Sequence, residues 1–376
     1  MKLSDKIQSI EGSQTVAYSS LIQQLRQEGK EVIDLAVGEP QLDTPAAVID
    51  ATQNALEAQK TRYGPVNGLT ELRARLAAQF SGYETDNILI TNGSKQALFM
   101  IFQVICEPAD EVIIPVPFWV SFVEQVKLAG GKPVLVGTRD HQLDDQAIAR
   151  AITSRTKAIV INSPNNPSGA VYPAADLQKI VRLATDHDLF IVADEAYEAF
   201  IYDGCKHTSM FEIADARSRT IVTRSFSKGY SMTGFRIGYV AAATRMIAAL
   251  SKIQSHLSGN VCTFAQYGAL AALELNGDWL AERQSEMQRK RDRAYRHASR
   301  LFRCRKPQGA FYLFADVSKA LKNEETAQQL AARILKEAHV AVVAGEAFGM
   351  AKHIRISFAV SENDLDEGFA RIAEVL

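Results

Sequence analysis

AIVINSPNNPSGAVYPAADLQKIVRLATDHDLFIVADEAY, residues 158–197, contains a complete strand–helix–strand unit. Ala158–Ile161 and Leu189–Ala193 are unbroken apolar runs of Val, Ile, Leu and Ala, the signature of strands covered on both faces. The amphipathic stretch Ala174–His187 between them reads as a helix. Two such strands joined by a helix lie parallel in one sheet. The same texture extends outward. Asn87–Thr91, Glu111–Pro115, Lys132–Val136, Thr220–Thr223 and Ile237–Ala243 read as further buried strands, with Lys95–Cys106 and Phe118–Ala129 as helices. The expected architecture is α/β, with a mostly parallel seven-stranded sheet between helices.

After Asn276 the pattern changes. Asp278–Phe302 is largely polar, with Leu280, Met287, Ala294 and Leu301 at intervals of seven, which predicts one long helix with a narrow apolar seam. Strands are expected around Gly309–Ala315, Val340–Val343 and His353–Phe358, with helices at Thr326–Glu337 and at the C-terminus, forming a smaller α+β domain. The division expected is a large domain at 41–279 and, packed against it across a cleft, a second unit made of 1–40 and 280–376.

Composition narrows the function. With 42 Lys+Arg against 43 Asp+Glu, the chain lacks the basic excess that nucleic acid or anionic membrane would require. Cys106, Cys205, Cys262 and Cys304 have neither zinc nor redox-pair spacing and read as reduced thiols. Met1–Ser20 has no signal-peptide apolar stretch, and no apolar run approaches the ~18 residues of a membrane span. A reducing cytoplasm is the expected setting.

Chemistry gathers at the ends of the predicted strands. Ser225-Phe226-Ser227-Lys228 follows one, and Arg236 lies eight positions on. Hydroxyls and a guanidinium donate to anionic oxygens, and a lysine beside a phosphate site can form a Schiff base with a phosphorylated aldehyde such as pyridoxal phosphate. Asp194, closing the run Ile191-Val192-Ala193, suits the buried carboxylate that keeps a pyridine nitrogen protonated, and Tyr197 could bond the ring hydroxyl; alone, these two would equally be a helix N-cap and a core aromatic. Gly93, Ser94 and Lys95 open a helix, where backbone N–H groups bind phosphate or are simply capped. Trp119 offers a stacking face, and the turn Asn162–Gly169 offers the Asn166 amide. Arg355, between Ile354 and Ile356 on an alternating strand, could enter the cleft and grip a carboxylate. No ligand set for a metal stands out.

In this order the motifs resemble the class I/II aminotransferases, fold-type I enzymes that use pyridoxal 5'-phosphate. The resemblance runs from Gly38-Glu39-Pro40 to Arg355 and is most like the bacterial aspartate/prephenate branch, through Asp43-Thr44-Pro45, Tyr63-Gly64-Pro65, Gly68–Arg73 and Lys95–Leu98. It implies a ping-pong transfer of an amino group from an L-amino acid to a 2-oxo acid. Lys228 would be the Schiff-base and proton-transfer lysine, Asp194 would hold the ring N–H, Tyr197 and Asn166 the ring oxygen, and Trp119 the ring face. Gly93, Ser94, Lys95, Ser225 and Arg236 match the phosphate region; Gly38, Trp119, Asn166 and Arg355 match the substrate side. Tyr63 would reach a neighbouring subunit's cofactor, implying a homodimer, and Asn260 lies in the other segment expected at that interface.

Ser168 replaces the family's usual threonine, and Ser258-Gly259-Asn260-Val261 departs from the usual Thr-Ser-Asn-Pro. Lys95, with Ser13 and Thr15, resembles the group that reads a distal carboxylate, which favours aspartate or glutamate as donor. Aromatic or methionine-type donors, and a cysteine-conjugate β-lyase of the same fold, are the enzymatic alternatives. An aminotransferase-like sensor module is the non-enzymatic one, and the neutral charge disfavours it.

Overall fold

The computed structural model describes residues 4–8, 10, 12 and 14–376, with backbone alone for residues 5, 6 and 14–20. In chain order the strands are β1 (Ile33–Asp34), β2 (Ile88–Thr91), β3 (Glu111–Val116), β4 (Lys132–Gly137), β5 (Thr156–Asn162), β6 (Phe190–Asp194), β7 (Thr220–Ser225), β8 (Gly238–Ala241), β9 (Arg303–Cys304), β10 (Tyr312–Asp316), β11 (Val340–Ala341), β12 (Val343–Ala344) and β13 (His353–Ser357). Seven form the main sheet in the order β2-β8-β7-β6-β5-β3-β4, parallel except for β8, which runs antiparallel to both neighbours.

Burial on both faces explains why these strands read as continuous apolar runs. In β6, Ile191 and Ala193 join one core cluster while Val192 joins the cluster on the opposite face. Helices Ala174–Asp186 and Thr263–Ala272 cover the first face, and Gly93–Ile105 and Ser121–Leu128 the second. The chain order reverses between β3 and β5, and the crevice beyond the carboxyl ends of strands at such a reversal is where open α/β sheets bind ligands. Register sets Asn162, Asp194 and Thr223 side by side at that edge.

The C-terminal part forms an antiparallel sheet, β12-β13-β10-β9, against helices Gly277–Leu301 and Glu362–Val375. Its core cluster also takes in Tyr197, Phe200 and Tyr202 from beside the main sheet, so the two parts pack together. Three expectations change here. Val340–Val343 divides at Val342: β11 pairs with β1, and β12 pairs with β13. All four residues are fully buried, so apolarity could not reveal the change of sheet. The helix after Thr326 passes at Ile334 into a wider π turn that ends with left-handed His339. In the long helix Met287 and Ala294 are buried, yet Leu280 and Leu301 are only partly so, and fully buried Arg291 joins the seam. Asp203 accepts two 2.8 Å bonds from the Arg291 guanidinium, whose Cζ lies 4.7 Å from the Tyr202 ring centre, so a charged side chain occupies a core position.

Candidate active site

A cavity of about 720 Å³ lies beyond the carboxyl edge of the main sheet, closed on its far side by residues 34–39, Tyr312 and Arg355. β7 ends at Ser225, whose hydroxyl accepts from the Ser227 N–H at 3.1 Å and caps the single turn Phe226–Gly229. That turn carries Lys228 into the cavity, where its Nζ donates to the Gly38 carbonyl at 2.5 Å. Burial draws the amine down to about 8; Glu39 opposes this, while Arg236, Arg355 and Lys95 reinforce it.

Asp194 ends β6, nearly fully buried. Burial pushes its carboxyl up to about 7, against a 3.2 Å bond from the Ala196 N–H. One strand position on, Glu195 behaves oppositely. Burial pushes it up too, but the Arg224 guanidinium at 2.9 Å and the Met210 N–H hold it down at about 2. Two neighbouring carboxyls are therefore driven apart, the one paired with Arg224 ionised and the cavity-lining one pushed toward its neutral form.

The turn after β5 is rigid: Asn162 Oδ1 accepts from the Asn166 N–H at 2.9 Å. Asn166 Nδ2 then donates to the Tyr197 hydroxyl at 3.3 Å, and Asn166 Oδ1 accepts from Arg355 Nη1 at 3.2 Å. Arg355 also donates to the Ala36 carbonyl at 2.9 Å, with its Cζ 4.2 Å from the Tyr312 ring centre. Its buried Nε has no hydrogen-bond partner among the described residues. The alternation of β13 directs Arg355 as the sequence predicts, with Ile354 and Ile356 in the core behind it.

The opposite end of the cavity is built for an anion. No side chain caps helix Gly93–Ile105. Gly93 has φ +75°, and a Cβ there would stand 2.4 Å from Arg236 Nη2. A Cβ at Gly238 would stand 2.6 Å from the Ser94 nitrogen, so both glycines permit close approach. Ser94, Ser225, Ser227 and Arg236 line this end. Uncapped helix N–H groups, three hydroxyls and a guanidinium match a phosphate group.

Lys95 turns toward Trp119, its Nζ 5.1 Å from the ring centre; burial and then Arg236 lower its pKa. Tyr63 is 99% exposed and does not line this chain's cavity. The residue before it in the chain is linked to Asn260, however: Thr263 Oγ1 donates to the Arg62 carbonyl at 3.1 Å and accepts from Asn260 Nδ2 at 3.4 Å. Ser13 lies outside the described residues, as does the side chain of Thr15. Sequence reasoning missed Tyr312, whose hydroxyl lies 3.1 Å from that of Tyr197, and Thr233. Tyr312 follows Phe311 on a strand and reads simply as core.

The Asp194 environment predicts a pH effect on the ligand-free chain. An aspartate near 3.9 when unfolded and near 7 when folded leaves the folded state binding more protons between those values, so stability falls as pH rises through that window. The penalty reaches at most about 4 kcal/mol at neutral pH. Glu195 acts only below about 4.5, outside the range from pH 5 to 7.5. Chemical denaturation at pH 5 and 7.5 should show Asp194→Asn gaining stability over the parent at the higher pH; a pH-independent difference would contradict the assignment.

A family model described as aminotransferase class I and II matches residues 30–372. The aspartate aminotransferase of Bacillus subtilis is 38% identical over 385 aligned positions, covering 99% of this chain and 98% of the relative. The aspartate/prephenate aminotransferase of Thermus thermophilus is 39% identical, covering 100% and 98%. The structure of Thermus thermophilus aspartate aminotransferase with maleate superposes with a TM-score of 0.96 at 38% identity, covering 100% of both chains. Among the described residues no helix is long and apolar enough to cross a membrane.

Proposed function

The chain belongs to the aminotransferase class I and II family and has its fold-type I α/β architecture, and from that premise we propose that it moves an amino group from aspartate or glutamate to a 2-oxo acid with pyridoxal 5'-phosphate bound in the cavity. The observation that carries this reading is the convergence of an amine, a buried carboxylate and an uncapped helix N-terminus with an arginine on one cavity, with a second arginine across from them. Ser94, Ser225, Arg236 and the Gly93 backbone would hold the phosphate, Trp119 the ring face, Asn166 and Tyr197 the ring oxygen, and Asp194 the ring nitrogen. Lys228 would bind the aldehyde carbon. When bound, the cofactor supplies an electron sink for the bond broken at the substrate Cα.

The protein's own residues do the rest. Arg355 grips the α-carboxylate, with Gly38 beside it, and so orients the Cα–H bond. Lys228 Nζ, drawn down toward neutral pH by burial, takes the proton from the donor's Cα and, in the reverse half-reaction, delivers one to the acceptor's Cα. Asp194, ionised against a cationic N–H, keeps that N–H in place. In the same reading, residues 41–279 form the cofactor-binding domain, and 1–40 with 280–376 form the arm and smaller domain. Tyr63 and the adjacent Asn260 segment would meet a second subunit, completing a homodimer.

Lys95 would read a distal carboxylate. A second reading has support of its own: Ile22, Val37 and Trp119 give the cavity an apolar wall that would take aromatic or methionine-like side chains. A donor screen across the amino acids with 2-oxoglutarate, on the parent and on Lys95→Ala, separates the two. The acidic reading expects aspartate and glutamate to lead, and Lys95→Ala to lower their kcat/KM about 10- to 100-fold more than that of neutral donors. Equal losses for all donors would assign Lys95 to the phosphate alone. Release of ammonia and pyruvate would indicate β-elimination instead.

A further inference from the structure

The segment 34–39 is tied at three places along the cavity, one of them the reacting lysine. Ala36 O accepts from Arg355 Nη2, Gly38 O accepts from Lys228 Nζ, and Glu39 Oε2 accepts from Thr233 Oγ1 at 2.5 Å. Thr233 belongs to the loop between Lys228 and Arg236, and Arg236 Nη1 in turn donates to the Thr233 carbonyl at 3.0 Å. A second tie follows five residues beyond Glu39, where Thr44 Oγ1 donates to the Ser231 carbonyl at 2.6 Å. The Glu39 side chain thus bridges the segment that follows β1 along the cavity and the loop between the lysine and the arginine.

We propose that Glu39, latched to Thr233, is a positioning residue that holds the Gly38 carbonyl where it receives the Lys228 amine, and that its carboxylate is the counter-charge for that amine. The electrostatic surroundings support a specific role. The charged groups facing Lys228 are Glu39, Arg236, Arg355, Lys95 and Asp194. Three are cations, and Asp194 is itself neutral through much of the acid range because burial pushes it up to about 7. Glu39 is the carboxylate that acts to raise Lys228 against burial and those cations. With the cofactor bound, the amine that takes the Cα proton would have to be held within reach of the substrate Cα, and a carbonyl held by an adjacent latch provides that station.

The inference rests on the assignment of Lys228 above, and its test distinguishes the two. In the ligand-free chain, competitive acetylation of Lys228 followed by mass spectrometry reads the amine's titration without cofactor. Glu39→Gln should move that midpoint down by about 0.5–1 pH unit, the effect of removing one nearby, partly screened charge. Thr233→Val keeps the charge and loses the bond; it should shift the midpoint less but raise amide hydrogen exchange across residues 36–40, and Thr233→Ser should restore protection. In cofactor-loaded protein the pH midpoint of the visible band should fall in Glu39→Gln by a similar amount. An unchanged Lys228 midpoint in Glu39→Gln, or unchanged exchange in Thr233→Val, would overturn the latch. A parent chain that takes up no cofactor, with the ligand-free results intact, would overturn the cofactor assignment and not the latch.

Discussion

Lys228→Ala is expected to lose at least on the order of 10⁴-fold in turnover while the protein folds normally and still binds pyridoxal phosphate without a covalent bond. Its side chain makes one direct hydrogen bond, to Gly38 O, from a four-residue turn held by the Ser225 cap, so truncation disturbs little of the core. The anion cradle of Gly93, Ser94 and Arg236 remains and should retain cofactor through its phosphate. The variant removes both the covalent attachment and the base that moves the Cα proton; among the described residues the one other amine or imidazole lining the cavity is Lys95, which lies against Trp119. Single-turnover conversion of bound cofactor by an amino donor, with absorbance to establish occupancy, is the measurement. A parent-like rate at full occupancy would remove Lys228 from the mechanism.

Asp194→Asn should lower kcat by on the order of 10³-fold with a much smaller loss of cofactor. The amide is nearly isosteric, and the 3.2 Å bond from the Ala196 N–H can still reach its oxygen. What disappears is the negative charge that would hold a protonated ring nitrogen. The same substitution relieves the penalty of an ionised carboxylate in the ligand-free chain, so this one variant should be more stable and far less active. Undiminished kcat in Asp194→Asn would count against the electron-sink role.

The large sheet was legible because burial on both faces makes each strand a plain apolar run, and because Asp194, Asn162 and Ser225 punctuate the ends of those runs. The smaller part was less so. Val342 moves the chain between sheets without any change of polarity, and Arg291 occupies a core position because Asp203, distant in sequence, joins the adjacent Asp292 in neutralising it. The same reason hid Tyr312: its place under Arg355 depends on the pairing of β10 with β13, which no local pattern announces. Glu39 was visible as a motif letter, but its partner Thr233 lies far along the chain.

The cavity draws its two walls from different sheets. The edge of the main sheet contributes Asp194, Asn166, Lys228 and Arg236, whereas Ala36, Gly38, Tyr312 and Arg355 hang from the small sheets, where Ser357 N–H also donates to Leu35 O at 2.7 Å. Change can therefore accumulate on one wall while the other is conserved, much as a lathe keeps its spindle while the tool post is exchanged. Libraries that vary the neighbours of Arg355 and keep Gly38 and Glu39 leave the chemical half untouched, so such variants should differ in which acids they accept long before they differ in what they do to them.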